Sequence, residues 1–202
     1  MKIEAITLEG RNVRLEPLTR AHHVALCAVG LDEELWRWTT TLIRTPEEMR
    51  NYIDTALAGQ AAGTTLAFAI VEKSSASAIG STRFADIDEK NRSLEIGWTW
   101  IAGRWQRTPI NTEAKYLMLS YAFEKLDCLR VTIKTDALNE RSRRAIKRLG
   151  AKEEGVLRNH MITQTGRIRD TVYYSIIAAE WPRIKIDLEA KLVRPFCRRR
   201  GK

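Results

Sequence analysis

The chain contains only three cysteines, Cys27, Cys128 and Cys197. Their number is odd, none pairs as Cys-x-x-Cys, and no histidine stands beside them at ligand spacing. That argues against a disulfide framework and against a structural metal, and for a reducing, cytoplasmic setting. Long apolar runs are also lacking. No window reaches about 18 consecutive apolar residues, the length a membrane-spanning helix needs. The opening residues, Met1 to Ile6, lack the apolar stretch of a secretory leader. Glycine-rich phosphate loops are missing too. There is no GxxxxGK[ST] and no GxGxxG, so neither a Walker loop nor a dinucleotide fingerprint is present. No internal repeat or low-complexity linker breaks the chain.

What is present describes a globular protein. At 202 residues with 44% hydrophobic residues, there is material for one real core. The net charge is +9. Five of the positive charges fall in the last nine residues, at Arg194, Arg198, Arg199, Arg200 and Lys202. The expected organisation is therefore a single domain over 1–193 and a flexible basic tail over 194–202. The tail either contacts RNA or an acidic surface, or is a solvated terminus. Arg198 to Arg200 run without an aromatic between them, which weighs against nucleic acid as a partner.

Local patterns give the elements. Val13 to Glu16 reads as a short strand, and Thr19 caps a helix from Arg20 to Val29. Thr45-Pro46-Glu47-Glu48 is a cap, a proline at the first helical position and two acids on the positive dipole end, so a second helix runs to about Ala58. "TTLAFAIVEK" and "AIGSTRFADI" form a hairpin across a Ser-rich turn. In "SLEIGWTWI", Leu94, Ile96, Trp98 and Trp100 alternate with Glu95, Gly97 and Thr99, which predicts a strand with one buried face. A helix from Pro109 to Lys125 follows, with Leu117, Tyr121 and Leu126 at helical spacing. "CLRVTIKTD" is a strand. "NERSRRAIKRLG" is a helix closed by Gly150. Two strands flank the turn Gln164-Thr165-Gly166, and a last helix runs from Glu180 to Leu192. The order predicts a mixed α/β fold, an antiparallel meander leading into a strand–helix–strand unit with parallel pairing.

"RWQRTPINTEAKYLML" is the stretch that asks for a function. A strand reaches a long helix through a short polar loop, and such a helix start offers free N–H groups and a favourable dipole to an anion. Chain wrapped around a phosphate normally needs glycine, and here only Gly103 is available. Anion site and ordinary capped helix both remain open on these residues alone. The histidine His160 has a side chain suited to proton transfer at neutral pH, or is structural. Cys128 opens a strand and reads as a buried hydrophobe.

The motif set "LEIGWTWI…RWQRTPINTEAKYLMLSYAFEKLDCLRVTIKTDALNERSRRAIKRLGAKEEGVLRNHM…GRIRDTVYYSI" resembles the GNAT N-acetyltransferase superfamily, and within it the RimJ/RimL-like branch. The likeness runs from "RNVRLEPLTRAHHVAL" to Ile176. It implies acetyl-CoA as co-substrate, lying in a V-shaped opening between the strands around Leu94–Ile101 and Leu129–Thr135. It implies an amine acceptor, a small molecule or a protein N-terminus, and leaves room for a homodimer. The family's pyrophosphate loop reads Q/R-x-x-G-x-G/A. Gln106 matches its first position, but Pro109 replaces a glycine and Asn111 a small residue. Proline has no N–H to give to phosphate, yet its fixed φ suits a first helical turn. Arg107, Thr108, Ile110 and Asn111 are left to cradle the anion.

For the chemistry, the resemblance points to three groups. Backbone N–H groups at a bulge over Thr99, Trp100 and Ile101 face the thioester carbonyl. Glu95 resembles the strand carboxylate that takes the amine proton, or is a structural Glu. Ser142, in the N-x-x-S helix, either assists the leaving thiolate or ties the helix start, which Asn139 caps while contacting the pantetheine arm. His160 lies where some relatives place a catalytic Glu. Trp36 and Trp38 line an acceptor pocket, or pack in the core. The alternatives to an active transferase are an acyl-CoA-binding protein without turnover, suggested by Pro109, and an RNA-associated protein using its tail.

Overall fold

The computed structural model describes residues 4–193; the basic tail and Cys197 lie outside them. Eight strands form one mixed sheet in the order β1-β2-β3-β4-β5-β6-β8-β7. The strands are β1 (Leu8–Glu9), β2 (Val13–Pro17), β3 (Leu66–Glu72), β4 (Ser77–Asp88), β5 (Ser93–Ile101), β6 (Arg130–Asp136), β7 (Lys152–Ile162) and β8 (Ile168–Ile177). The helices are α1 (His23–Gly30), α2 (Pro46–Ala61), α3 (Ile110–Glu124), α4 (Glu140–Leu149) and α5 (Trp181–Val193). The expected mixed α/β architecture is present, with β1 as an added strand too short to carry a period. Every neighbouring pair is antiparallel except β5 and β6. No helix among the described residues is long and apolar enough to cross a membrane.

The sheet buries both faces. One face carries Leu15, Phe68, Phe84, Ile96, Val131 and Tyr174 and packs on α3, α4 and α5 through Met118, Ile146 and Leu188. The other carries Ala67, Ala69, Val71 and Trp100 and packs on α1 and α2 through Leu26, Met49 and Ile53. Small residues on this second face let the helices approach closely. In α3 the buried apolar positions are Ile110, Ala114, Met118, Leu119 and Ala122. Of the positions at helical spacing, Leu126 is buried, while Leu117 and Tyr121 sit half-buried at the margin of the core. Thr45 caps α2 as the sequence predicted, and Glu48, expected only as an acid on the dipole end, closes a reciprocal box with it. Gly150 closes α4 at φ 100°.

Candidate active site

β5 and β6 pair over only three positions, Ser93–Glu95 with Arg130–Thr132. Beyond them β5 continues along β4 to Ile101, and β6 continues along β8 to Asp136. The two parallel strands part, and backbone groups of β5 that face β6 lose their ladder partners. The gap is the V-shaped opening expected between these strands.

A bulge lies on β5 beside the opening. Ser81 pairs with Trp100 and Arg83 with Gly97, so Trp98 and Thr99 together oppose Thr82. Trp98 takes the left-handed φ of 47°. The bulge falls at Trp98–Thr99, where Thr99–Ile101 was expected; Trp100 and Ile101 are regularly paired. The extra residue also reverses the side-chain phase. Trp98, expected on the buried face, is 42% exposed, whereas Trp100 and Ile101 are buried on opposite faces. From beneath, the Lys115 ammonium of α3 donates to Thr99 Oγ1 and, at 3.1 Å, to Thr82 Oγ1. The two hydroxyls are themselves 2.7 Å apart. Burial holds the Lys115 amine down at about 7.

The start of α3 stands at the mouth of the opening. Pro109 is its cap residue at φ −62°, ψ −20°, already helical, and α3 proper begins one residue later than expected. Its carbonyl accepts the Glu113 N–H at 2.9 Å. The N–H groups of Asn111 and Thr112 have no acceptor among the described residues, and that of Ile110 has only Thr108 Oγ1 at 3.4 Å. Arg107 is the loop residue in the left-handed region, at φ 60°, with its side chain exposed. Gln106 ties the loop to β5 and α4: it donates to the Ile101 carbonyl at 2.7 Å and accepts from Arg141 at 2.6 Å. Thr108 donates to the Trp105 carbonyl. Free N–H groups, a dipole end and an exposed guanidinium suit a pyrophosphate. The buried Glu113 carboxylate fixes this helix start by accepting from Arg11 N, Asn12 N and Asn12 Nδ2 of the β1–β2 turn.

Across the opening, Asn139 Oδ1 accepts the Ser142 N–H at 3.0 Å and caps α4, as expected. Ser142 Oγ makes no hydrogen bond among the described residues.

The family model described as Acetyltransferase (GNAT) domain matches residues 12–152. The chain belongs to the GNAT acetyltransferase family. A GCN5-related N-acetyltransferase from Brucella melitensis superposes with a TM-score of 0.89 at 34% identity, covering 96% of this chain and 88% of that one. The Bacillus subtilis (strain 168) protein named "Putative ribosomal N-acetyltransferase YdaF" is 38% identical over 50% of this chain and 55% of its own length. Mycobacterium smegmatis RimJ, solved with CoA-disulfide, shares the fold at TM-score 0.78 and 22% identity, over 92% of this chain and 91% of its own. The chain spans about half the length of the first curated relatives it matches.

In this GNAT domain Glu95 lies on the α1–α2 face of β5 and is buried. A Cβ on Gly97 would stand 2.3 Å from its Oε1, so glycine makes room for the carboxylate. Lys134 Nζ pairs with Glu95 Oε2 at 2.6 Å. Burial raises the Glu95 acid to about 7, with the Lys134 bond pulling the other way. Burial opposes the charge on Lys134, and its bond to Glu95, helped by Asp86, holds it above its ordinary value.

His160 lies on β7, half-buried, 3.0 Å from Thr171 Oγ1 and edge-on to Tyr173. β8 and β6 separate β7 from β5, so at interstrand spacings of about 4.8 Å the sheet alone sets the backbones of His160 and Glu95 about 14 Å apart, and the register adds an offset along the strands, Glu95 standing level with Ser175 and His160 near Asp170. They do not meet. Trp36 is buried, with its indole N–H on the Gly30 carbonyl at 2.9 Å and its ring against Tyr52 and Trp100. It is a core residue and not a pocket wall. Trp38 is half-buried between Arg37 and Arg167. Burial lifts the Cys128 thiol to about 11, which rules out a neutral-pH nucleophile there. Lys134, Lys115, Arg83 and Trp98 were not anticipated; their roles come from neighbours across the sheet, which no local spacing encodes.

Proposed function

We propose that the chain is an acetyl-CoA-dependent N-acetyltransferase acting by direct attack of a primary amine on the thioester. The observation that carries the reading is the buried Glu95 carboxylate, held at about 7 beside the parting of β5 and β6. Attack requires a neutral amine, because ammonium has no lone pair. Glu95 takes the proton, directly or through water, and a group titrating near neutrality is matched to that task. The backbone N–H groups beside the bulge stabilise the carbonyl oxygen as it gains charge. The nitrogen–carbon bond forms, the carbon–sulfur bond breaks, and CoA thiol leaves. Ser142 supplies a hydrogen bond toward the departing sulfur, and Asn139 the pantetheine arm. The free N–H groups of α3, with Arg107, hold the pyrophosphate. The amine is that of a protein N-terminus or of a small molecule; the likeness to YdaF, named as a putative ribosomal N-acetyltransferase, favours a protein acceptor.

The test is a melting curve followed by a thiol-release assay. Acetyl-CoA at a hundredfold excess over its Kd should stabilise the protein by about 2.7 kcal/mol. For a chain of this size that is a shift of roughly 5–10 °C. Thiol should then appear only when an amine is added. No shift together with no thiol from any amine defeats the reading.

A further inference from the structure

Arg83 projects from β4 on the same face as Glu95, and it is 95% removed from solvent, being only 5% exposed. Its side chain makes no hydrogen bond and no ion pair among the described residues, and its buried Nε has no partner. Its only neighbours in kind are rings: Tyr52, 4.6 Å from the guanidinium carbon, and Trp98 of the bulge, at 5.7 Å. The Tyr52 hydroxyl and the Trp100 indole N–H, in the aromatic cluster around Trp36, are also buried without acceptors. Lys134 covers Trp98 from another side at 5.7 Å. Arg169 is buried on the same side of the sheet, its side chain hydrogen-bonded among the described residues to Thr171 Oγ1 and the Trp38 carbonyl. Two buried carboxylates stand among these cations, and both are taken: Glu95 by Lys134, and Asp136 by Arg167, with a longer-range pull on Arg169.

A buried guanidinium without a counter-charge is costly, and buried donors in folded proteins nearly always find acceptors. The missing partner is an acceptor-rich anion. Arg83 pairs with Gly97, and Glu95 is the diagonal neighbour, so the two backbones are roughly 7–8 Å apart. Two long side chains on one face at that separation span a molecule carrying opposite charges a few bonds apart.

We infer that the acceptor is a primary amine bearing a carboxylate, with Arg83 binding the carboxylate while the amine reaches Glu95. This rests on the transferase reading and names its substrate class. Two sources offer the same chemistry: a free amino acid of short chain, and a peptide whose residues at the N-terminus include Asp or Glu. Guanidinium and carboxylate match as a two-pronged pair, and the flanking rings keep water away. Tyr52 adds a hydroxyl donor.

The experiment compares matched amines by thiol release at constant acetyl-CoA. β-Alanine is set against its amide, and the peptide Asp-Ala-Ala against Asn-Ala-Ala. The expected result is a kcat/KM at least tenfold higher for the carboxylate member of one pair, and which pair responds identifies the source. In Arg83→Gln that ratio should collapse toward one, mainly through KM. Arg83→Lys, which keeps the charge but loses the fork, should retain part of it. Melting curves report whether the variants fold, and the wild-type ratios decide the matter even where they do not. Equal rates within both pairs overturn the proposal and leave the transferase reading standing. Silence from every amine overturns both.

Discussion

Glu95 and Lys115 both titrate near 7 and lie on opposite sides of β5. A pH profile alone therefore cannot assign the base, but two substitutions can. The Glu95 acid is raised from 4.5 to about 7. Its proton-accepting form thus grows as pH climbs from 6 to 8, and turnover should climb with it. Glu95→Gln should lower turnover at neutral pH by about 100-fold and abolish that inflection, with acetyl-CoA affinity within about threefold. Lys115→Met should keep the inflection, because this amine braces Thr82 and Thr99 and does not face the acceptor. An inflection that survives Glu95→Gln and vanishes in Lys115→Met would exchange the two roles. His160 stands three strands away, so His160→Ala should leave this inflection in place.

At the scale of the element, the loop before α3 distributes its constraints differently from its sequence. Pro109 drew attention as the residue lacking a donor. At φ −62° it already has the helical conformation, and its carbonyl takes the Glu113 N–H. The reason to suspect a silent acyl-CoA binder therefore weakens. The residue out of place is Arg107, a non-glycine at φ 60°. Left-handed backbone costs such a residue roughly 1–2 kcal/mol. Arg107→Gly should raise Tm by a few degrees and weaken acetyl-CoA binding, since the guanidinium goes with the strain. A lower Tm would show that the arginine side chain holds the loop together. Part of this element was legible beforehand: a helix start with free N–H groups after a short polar loop, and the Asn139 cap of α4, follow from local rules of capping and dipole, whereas Gln106 came from the family resemblance and its binding of an anion is a proposal. β5 was misjudged for one reason. Its alternating Leu94, Ile96, Trp98, Trp100 reads as one face, and a single inserted residue at the bulge turns Trp98 out and Trp100 through to the other face. The insertion is defined by the partner strand, so β5 alone does not announce it. Arg83, Lys134 and Lys115 were missed on the same ground, each being recognised only by what stands across from it.

For the whole molecule, the order of elements and the mixed α/β class followed from periodicity and turn residues, because each helix and hairpin carries its own signals. The opening between β5 and β6 was reached through family resemblance, not through spacing. It also divides the sheet unequally: β1 to β5 on one side, β6, β8 and β7 on the other, joined through three paired positions. That seam has a spectroscopic consequence. Peptide hydrogens of residues 96–101 directed toward β6 have no ladder to protect them, so deuterium should replace them sooner than those of β3 or β4, although they sit mid-sheet. Acetyl-CoA lodged in the gap would serve as the absent strand and slow that replacement. Labelling with and without it, resolved by mass spectrometry, should show the change concentrated in this segment; slowing spread evenly over the chain would mean that the ligand stabilises the fold without filling the seam.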